Sequence, residues 1–191
     1  MCLSKSTSAT RRNPNCEYRE GVLYPKPMPT TFHGLLEFML VVMLRRLGLQ
    51  AAPEVTVRMS PAKYLVPDVI AAPVLHSARA ARPAASGLSA TTPGCLVRPG
   101  RAQFLESPYP TDPVLLCCEI LSPEDRLGTM LAKCEEYHAW GVPFCWVIDP
   151  VKRTAWEYHS AAEPVRVTST LRANELSVSL EELFSALDSA A

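Results

Sequence analysis

The segment from 114 to 121, VLLCCEIL, is apolar at every position but one. A run without polar alternation reads as a central strand covered on both faces, where the carboxylate of Glu119 is shut away from water. Such a group requires a partner: a cation, hydrogen-bond donors or a metal ion. Asp68 raises the same demand in YLVPDVIAAP, flanked by Val66, Val69 and Ile70. Lys133 is the third charge out of place, because it falls within the stripe formed by Met130, Cys134 and Tyr137 at helical spacing. Two carboxylates and a lysine drawn into one core constrain the architecture and also suggest metal-assisted hydrolysis of a phosphodiester.

The remaining pattern is helix, strands, helix, strands, helix. YREGVLYP predicts a short hairpin around Glu20 and Gly21, and the prolines after it bar a helix until about Thr30. Leu35, Phe38, Met39, Val42, Met43 and Leu47 then recur at helical spacing, with Thr30 or Thr31 as N-cap and Gly48 beyond the end. Residues 55–60 and 65–72 read as a hairpin turning at Pro61 to Lys63. Ser122-Pro123-Glu124-Asp125 resembles a helix start, Gly128 weakens it, and the helix is expected over 129–140, closed by Gly141 and Pro143. FCWVID (144–149), TAWEYHS and PVRVTST read as strands, and Ser179 with Glu182 forms a capping box for a last helix to about Leu187.

A chain of 191 residues with 48% hydrophobic composition can bury a sizeable core. The expected organisation is a basic, disordered arm over residues 1–16, then one domain over 17–191. Residues 76–103 form a flexible insertion in that domain, rich in Ala, Pro, Ser, Gly and Thr, with four arginines and no acid. Net charge is zero but unevenly spread: residues 1–103 carry 13 Lys/Arg against 5 Asp/Glu, and 104–191 carry 6 against 14. The basic excess could follow a phosphate backbone, or the two halves could simply attract each other. Seven cysteines without a C-x-x-C pair read as reduced thiols of a cytoplasmic protein. The N-terminus has no apolar region of the kind a secretory signal needs, and LLEFMLVVMLRRLGL is short and broken by charges, so no membrane association is expected.

Each candidate has a plainer reading. Lys133 can snorkel past the core edge with Glu119 as its ion-pair partner, and Asp68 can cap a turn after Pro67. His33 and Glu37 on the first helix are candidates for a further contact, but the favoured reading makes Glu37 a solvated helix charge and His33 part of the helix start. Cys134 and His138 have chelating spacing but no second pair, which favours packing. Cys117 and Cys118 point to opposite faces of their strand, and Trp140, Trp146 and Trp156 read as core or interface anchors in preference to base-stacking platforms.

VPDVIAAP, CCEILSPEDR, the helix bearing Lys133 and Tyr137, and GVPFCWVIDP together resemble the Uma-type restriction endonucleases, a bacterial group of the PD-(D/E)XK nuclease superfamily. The resemblance covers about residues 17–187 and is specific in its order of motifs. It implies an α/β fold with a restriction-endonuclease-like three-layer core, a central mixed β-sheet flanked by helices. It also implies Mg²⁺ held by Asp68 and Glu119, with Lys133 completing the catalytic set; since Mg²⁺ prefers oxygen ligands and keeps several waters, the two carboxylates plus the Ile120 carbonyl would suffice to hold it. The lysine stands on the helix in place of Leu121, two residues after the glutamate. The implied activity is a Mg²⁺-dependent DNA endonuclease, with a homodimer as a candidate assembly. Thr129 departs from the family, which often has an acid there, and the insertion is long. An inactive nuclease-fold protein that binds nucleic acid or a protein is the alternative, and a purely structural ion-pair network is the third reading.

Overall fold

The computed structural model describes residues 16–26, 29–73 and 109–190. The basic arm up to residue 15 and the insertion expected at 76–103 lie outside the described residues. Cys16 opens the first strand instead of ending the arm. Strands β1 (Cys16–Arg19) and β2 (Val22–Pro25) form the expected hairpin, with Glu20 and Gly21 both at positive φ as a two-residue turn demands. Helix α1 (Thr31–Arg46) starts at Thr30, whose hydroxyl accepts from the His33 N–H.

Strand β3 (Leu49–Pro53) then pairs antiparallel with β6 (Val69–Pro73). Between them, β4 (Val57–Ser60) and β5 (Lys63–Leu65) form a separate hairpin that joins β1 in a four-stranded sheet ordered β2-β1-β5-β4. Residues 65–72 therefore do not form one strand paired with 55–60. The chain changes sheets at Val66-Pro67, where proline has no N–H for a ladder and holds the preceding residue out of the helical region.

The main sheet has six strands in the order β10-β9-β8-β7-β6-β3. Its central strands β7 (Leu116–Ile120) and β8 (Phe144–Asp149) run parallel, and the other pairs are antiparallel. Parallel neighbours need a crossover, supplied by helix α2 (Leu127–Trp140). Strands β9 (Thr154–His159) and β10 (Val165–Val167) continue the sheet outward. The hairpin β11 (Thr170–Ala173) and β12 (Leu176–Ser179) then leads into helix α3 (Leu180–Ala190), where Ser179 Oγ accepts from the Glu182 N–H.

Alternation along the strands sends side chains to two cores. Leu116, Cys118, Ile120 and Trp146 meet α1 and α3 on one face, while Cys117, Cys145 and Val147 meet Cys134 and Tyr137 of α2 on the other. The result is a mixed α/β fold whose central mixed sheet is flanked by helices. Helix α2 begins at Leu127 with no side-chain cap, not at Ser122. Asp125 explains this: its carboxylate accepts from the Ser122 N–H at 2.9 Å and closes a turn of its own.

Candidate active site

The sheet register lines up the acidic residues. The β6–β7 ladder pairs Val69 with Cys118, so one step further Asp68 faces Glu119. The β3–β6 ladder pairs Pro53 with Val69, so one step further Glu54 faces Asp68 from the other side, and its N–H donates to the Asp68 carbonyl at 3.0 Å. Asp68 and Glu119 are each 2% exposed and border a cavity of about 520 Å³ that Glu17, Lys26, His33 and Lys133 also line. The structure thus brings Asp68, Glu119, Ile120 and Lys133 together.

Lys133 projects from the buried stripe of α2 with its Nζ 2.9 Å from Glu119 Oε1 and 2.7 Å from Glu17 Oε1, and it donates to the Val66 carbonyl at 3.2 Å. The Tyr137 hydroxyl, one turn on, donates to Glu119 Oε1 at 2.7 Å. Burial pushes the Glu119 carboxyl up to about 7 despite Lys133, and the nearby Asp68 charge adds to that. Lys133 itself, although desolvated, is raised well above its ordinary range because Glu119, Glu17 and Asp68 all favour its charge. The lysine stays charged, and the glutamate is the member of the pair that titrates near neutrality.

Asp68 is the reverse case. Burial raises its pKa, but His33, Lys26 and Lys133 together hold it well below the usual carboxylate range. Its Oδ2 accepts from the Ile120 N–H at 2.5 Å, so Ile120 meets the site through its amide. Lys26 donates to Asp68 Oδ1 at 2.5 Å, to Glu54 Oε1 at 2.8 Å and to the Val66 carbonyl at 3.2 Å.

Glu37 corrects the favoured expectation: it is 5% exposed, not solvated. Its Oε1 lies 3.3 Å from His33 Nε2, which is 3.5 Å from Asp68 Oδ2. Neither His33 Nε2 nor Glu37 Oε1 completes a hydrogen bond, although both are enclosed. One ligand atom from each of His33, Glu37 and Asp68 falls within 4.8 Å of the others, a spacing that can hold a cation. Glu136, on the same helix as Lys133, is half-buried and ion-paired with Lys63 and Arg19.

Glu17, Lys26 and Glu54 were invisible to pattern reading. The only signal was Lys26 itself, a lysine isolated between Pro25 and Pro27 after a strand. Trp146 is fully buried with its indole N–H donating to the Arg172 carbonyl at 3.0 Å, and Cys134 is packed in the core, as expected of both. No described helix is long and apolar enough to cross a membrane.

Comparison with known proteins bears on the fold and the family. The crystal structure of a putative nuclease belonging to DUF820 from Anabaena variabilis superposes with a TM-score of 0.65 at 21% identity, over 90% of each chain. At that identity the likeness establishes the fold alone. No curated protein matches the sequence. A family model described as Uma2, putative restriction endonuclease, matches residues 4–190. Spanning nearly the entire sequence, that match establishes that the chain belongs to the Uma2 family.

Proposed function

We propose that the protein is a metal-dependent nuclease that hydrolyses phosphodiester bonds in DNA at the Asp68–Glu119–Lys133 site. The observation that carries this reading is the convergence of His33, Glu37 and Asp68, one ligand atom of each within 4.8 Å of the others, beside the cavity that His33, Asp68 and Lys133 line. Asp68 and Glu37 favour the protonated imidazole of His33, which offers no lone pair to a metal, so the buried carboxylate oxygens of Asp68 and Glu37 are the donors that suit a hard divalent cation. The oxygen donors therefore fit Mg²⁺ or a similar ion, which Asp68, Glu119 and the Ile120 carbonyl would hold with Glu37 on the α1 side and His33 free to leave as the ion enters. When bound, the ion lowers the pKa of a bound water and offsets charge on the phosphate.

The protein's own groups do the rest. Lys133, fixed by Glu119, Glu17 and the Val66 carbonyl, presents a permanent positive charge to a phosphate entering the cavity. Tyr137 holds Glu119 in place. Lys26 neutralises Asp68 and Glu54 until substrate or cation displaces it.

One observation favours a second reading: Lys26 and Lys133 between them neutralise much of the acidic cluster without an ion, as an inactive descendant retaining a structural ion-pair network would have it. Incubation of the purified chain with plasmid, linear duplex and single-stranded DNA in Mg²⁺ or Mn²⁺, against an EDTA control, separates the two. Metal-dependent products support the nuclease. Intact DNA in every metal, from a folded protein, supports the inactive alternative.

A further inference from the structure

A second cavity, of about 510 Å³, lies next to the first, and the Ser122–Asp125 turn lines both. The sheet register connects them. Glu119 pairs with Val147, Val147 with Trp156, and Trp156 with Arg166, so these residues form one row across β7 to β10 with side chains on the same face. At about 4.8 Å per strand, Trp156 stands roughly 10 Å from Glu119 along the row, and Arg166 one strand further.

Trp156 is only partly buried: it packs against the α2-side core and still lines the cavity. Arg166 is exposed and has no carboxylate partner among the described residues. The acids there are already engaged. Asp149 accepts from the Lys152 N–H at 2.9 Å and from Lys152 Nζ at 3.0 Å, and Asp125 accepts from the Ser122 N–H. An aromatic surface beside an uncommitted guanidinium suits a base stacked on the ring and a phosphate held by the arginine. A paired base in a duplex offers only its edges, so a stacking site of this kind selects unpaired nucleotides.

We infer that this cavity binds an unpaired nucleotide of the same nucleic-acid strand whose phosphate lies at the Asp68–Glu119–Lys133 site. The site thereby prefers single-stranded or locally opened substrate. The inference rests on the nuclease reading for what occupies the first cavity, but binding tests it without cleavage.

The test is fluorescence anisotropy of the full chain in EDTA, with labelled oligodeoxyuridylate and oligouridylate of about 12 nucleotides, which differ in the sugar alone, and a duplex of the same length. Trp156→Ala and Arg166→Ala are each expected to weaken single-strand binding about tenfold, Trp156→Phe to retain most of it, and duplex binding to change less than about threefold. The stronger of the two single strands identifies the sugar preferred. Arg166 is exposed, so its variant reads out binding even where a Trp156 substitution harms folding. Unchanged single-strand affinity in Arg166→Ala, an equal loss on duplex, or a wild type that binds no oligonucleotide overturns the inference. A wild type that binds through these side chains but cuts nothing in metal overturns the nuclease reading alone. One that cuts while Trp156 and Arg166 prove irrelevant overturns the cavity assignment alone.

Discussion

Lys133 Nζ lies 2.9 Å from Oε1 of Glu119, a residue fourteen positions earlier, because the crossover from β7 through α2 folds the helix back over the strand it has just left. A lysine on the strand two residues after Glu119 would share its face. Leu121 stands there, packed in the α2-side core, and the helix supplies the charge instead.

Removing that charge strands the buried Glu119, while the half-buried Glu17 keeps Arg19 at 3.1 Å. Lys133→Met is expected to lower stability by about 3 to 5 kcal/mol, since Glu119 and Glu17 lose their shared partner while the methionine stem preserves much of the packing. Urea unfolding of wild type and variant measures it, and a loss below about 1 kcal/mol would contradict the pairing.

Lys26 should show opposite effects on fold and on ion binding. It holds Asp68 and Glu54 as a cation would. Lys26→Met is therefore expected to melt lower than wild type in EDTA, yet to gain more from added Mg²⁺ or Mn²⁺, because a competitor for the carboxylates is gone. Thermal melts across a metal titration check this, and a smaller metal-induced gain than in wild type would refute it.

Stability of the metal-free protein should depend on pH in two separable windows. Burial raises Glu119 from 4.5 to about 7, so the folded state binds that proton more tightly than the unfolded one. Its contribution is complete below pH 4.5 and is lost as pH rises through about 7. His33, despite desolvation, is raised from 6.5 to about 10 by Asp68 and Glu37, so its contribution is complete below 6.5 and lost on the way to 10. Asp68 has the opposite sign, and its contribution is lost as pH falls below 3.8. Unfolding measured against pH in EDTA should show Glu119→Gln flattening the first decline and His33→Gln the second.

At the end of α2, Gly141 has φ +116°, and a Cβ there would lie 2.9 Å from Cγ of Pro113. Gly141→Ala is expected to cost more than about 1 kcal/mol through strain and collision together. Wild-type stability in that variant would mean that the turn and Pro113 can move apart freely.

What could be read from the sequence was periodicity and misplaced charge. Helix α1 and strand β8 have apolar spacing that admits few alternatives, and Asp68, Glu119 and Lys133 stand out because their neighbours are core residues. Strand β3 was not legible, since LQAAP has alanines and a proline in place of strand formers. Lys26 and Glu54 were hidden for a different reason: each follows a proline at a strand end, where a charge reads as part of a turn, and Lys26 meets its partners 28 and 42 positions away. Glu37 misled because its helix reads as one with a wet face there, while in the fold that face turns toward His33 and Asp68. Local pattern shows which charges are in difficulty, and only sheet register shows which of them meet.

The most direct test of the central claim is single-turnover cleavage of labelled DNA by the wild type and by Asp68→Asn, Glu119→Gln and Lys133→Met, with Mn²⁺ binding to each protein measured in parallel by calorimetry. The account predicts that Asp68→Asn and Glu119→Gln lose both ion affinity and cleavage. Lys133→Met should keep ion affinity within about threefold while cleavage falls by about 10² to 10³. A wild type that binds no divalent ion and leaves DNA intact, or variants that cut as well as wild type, would contradict it.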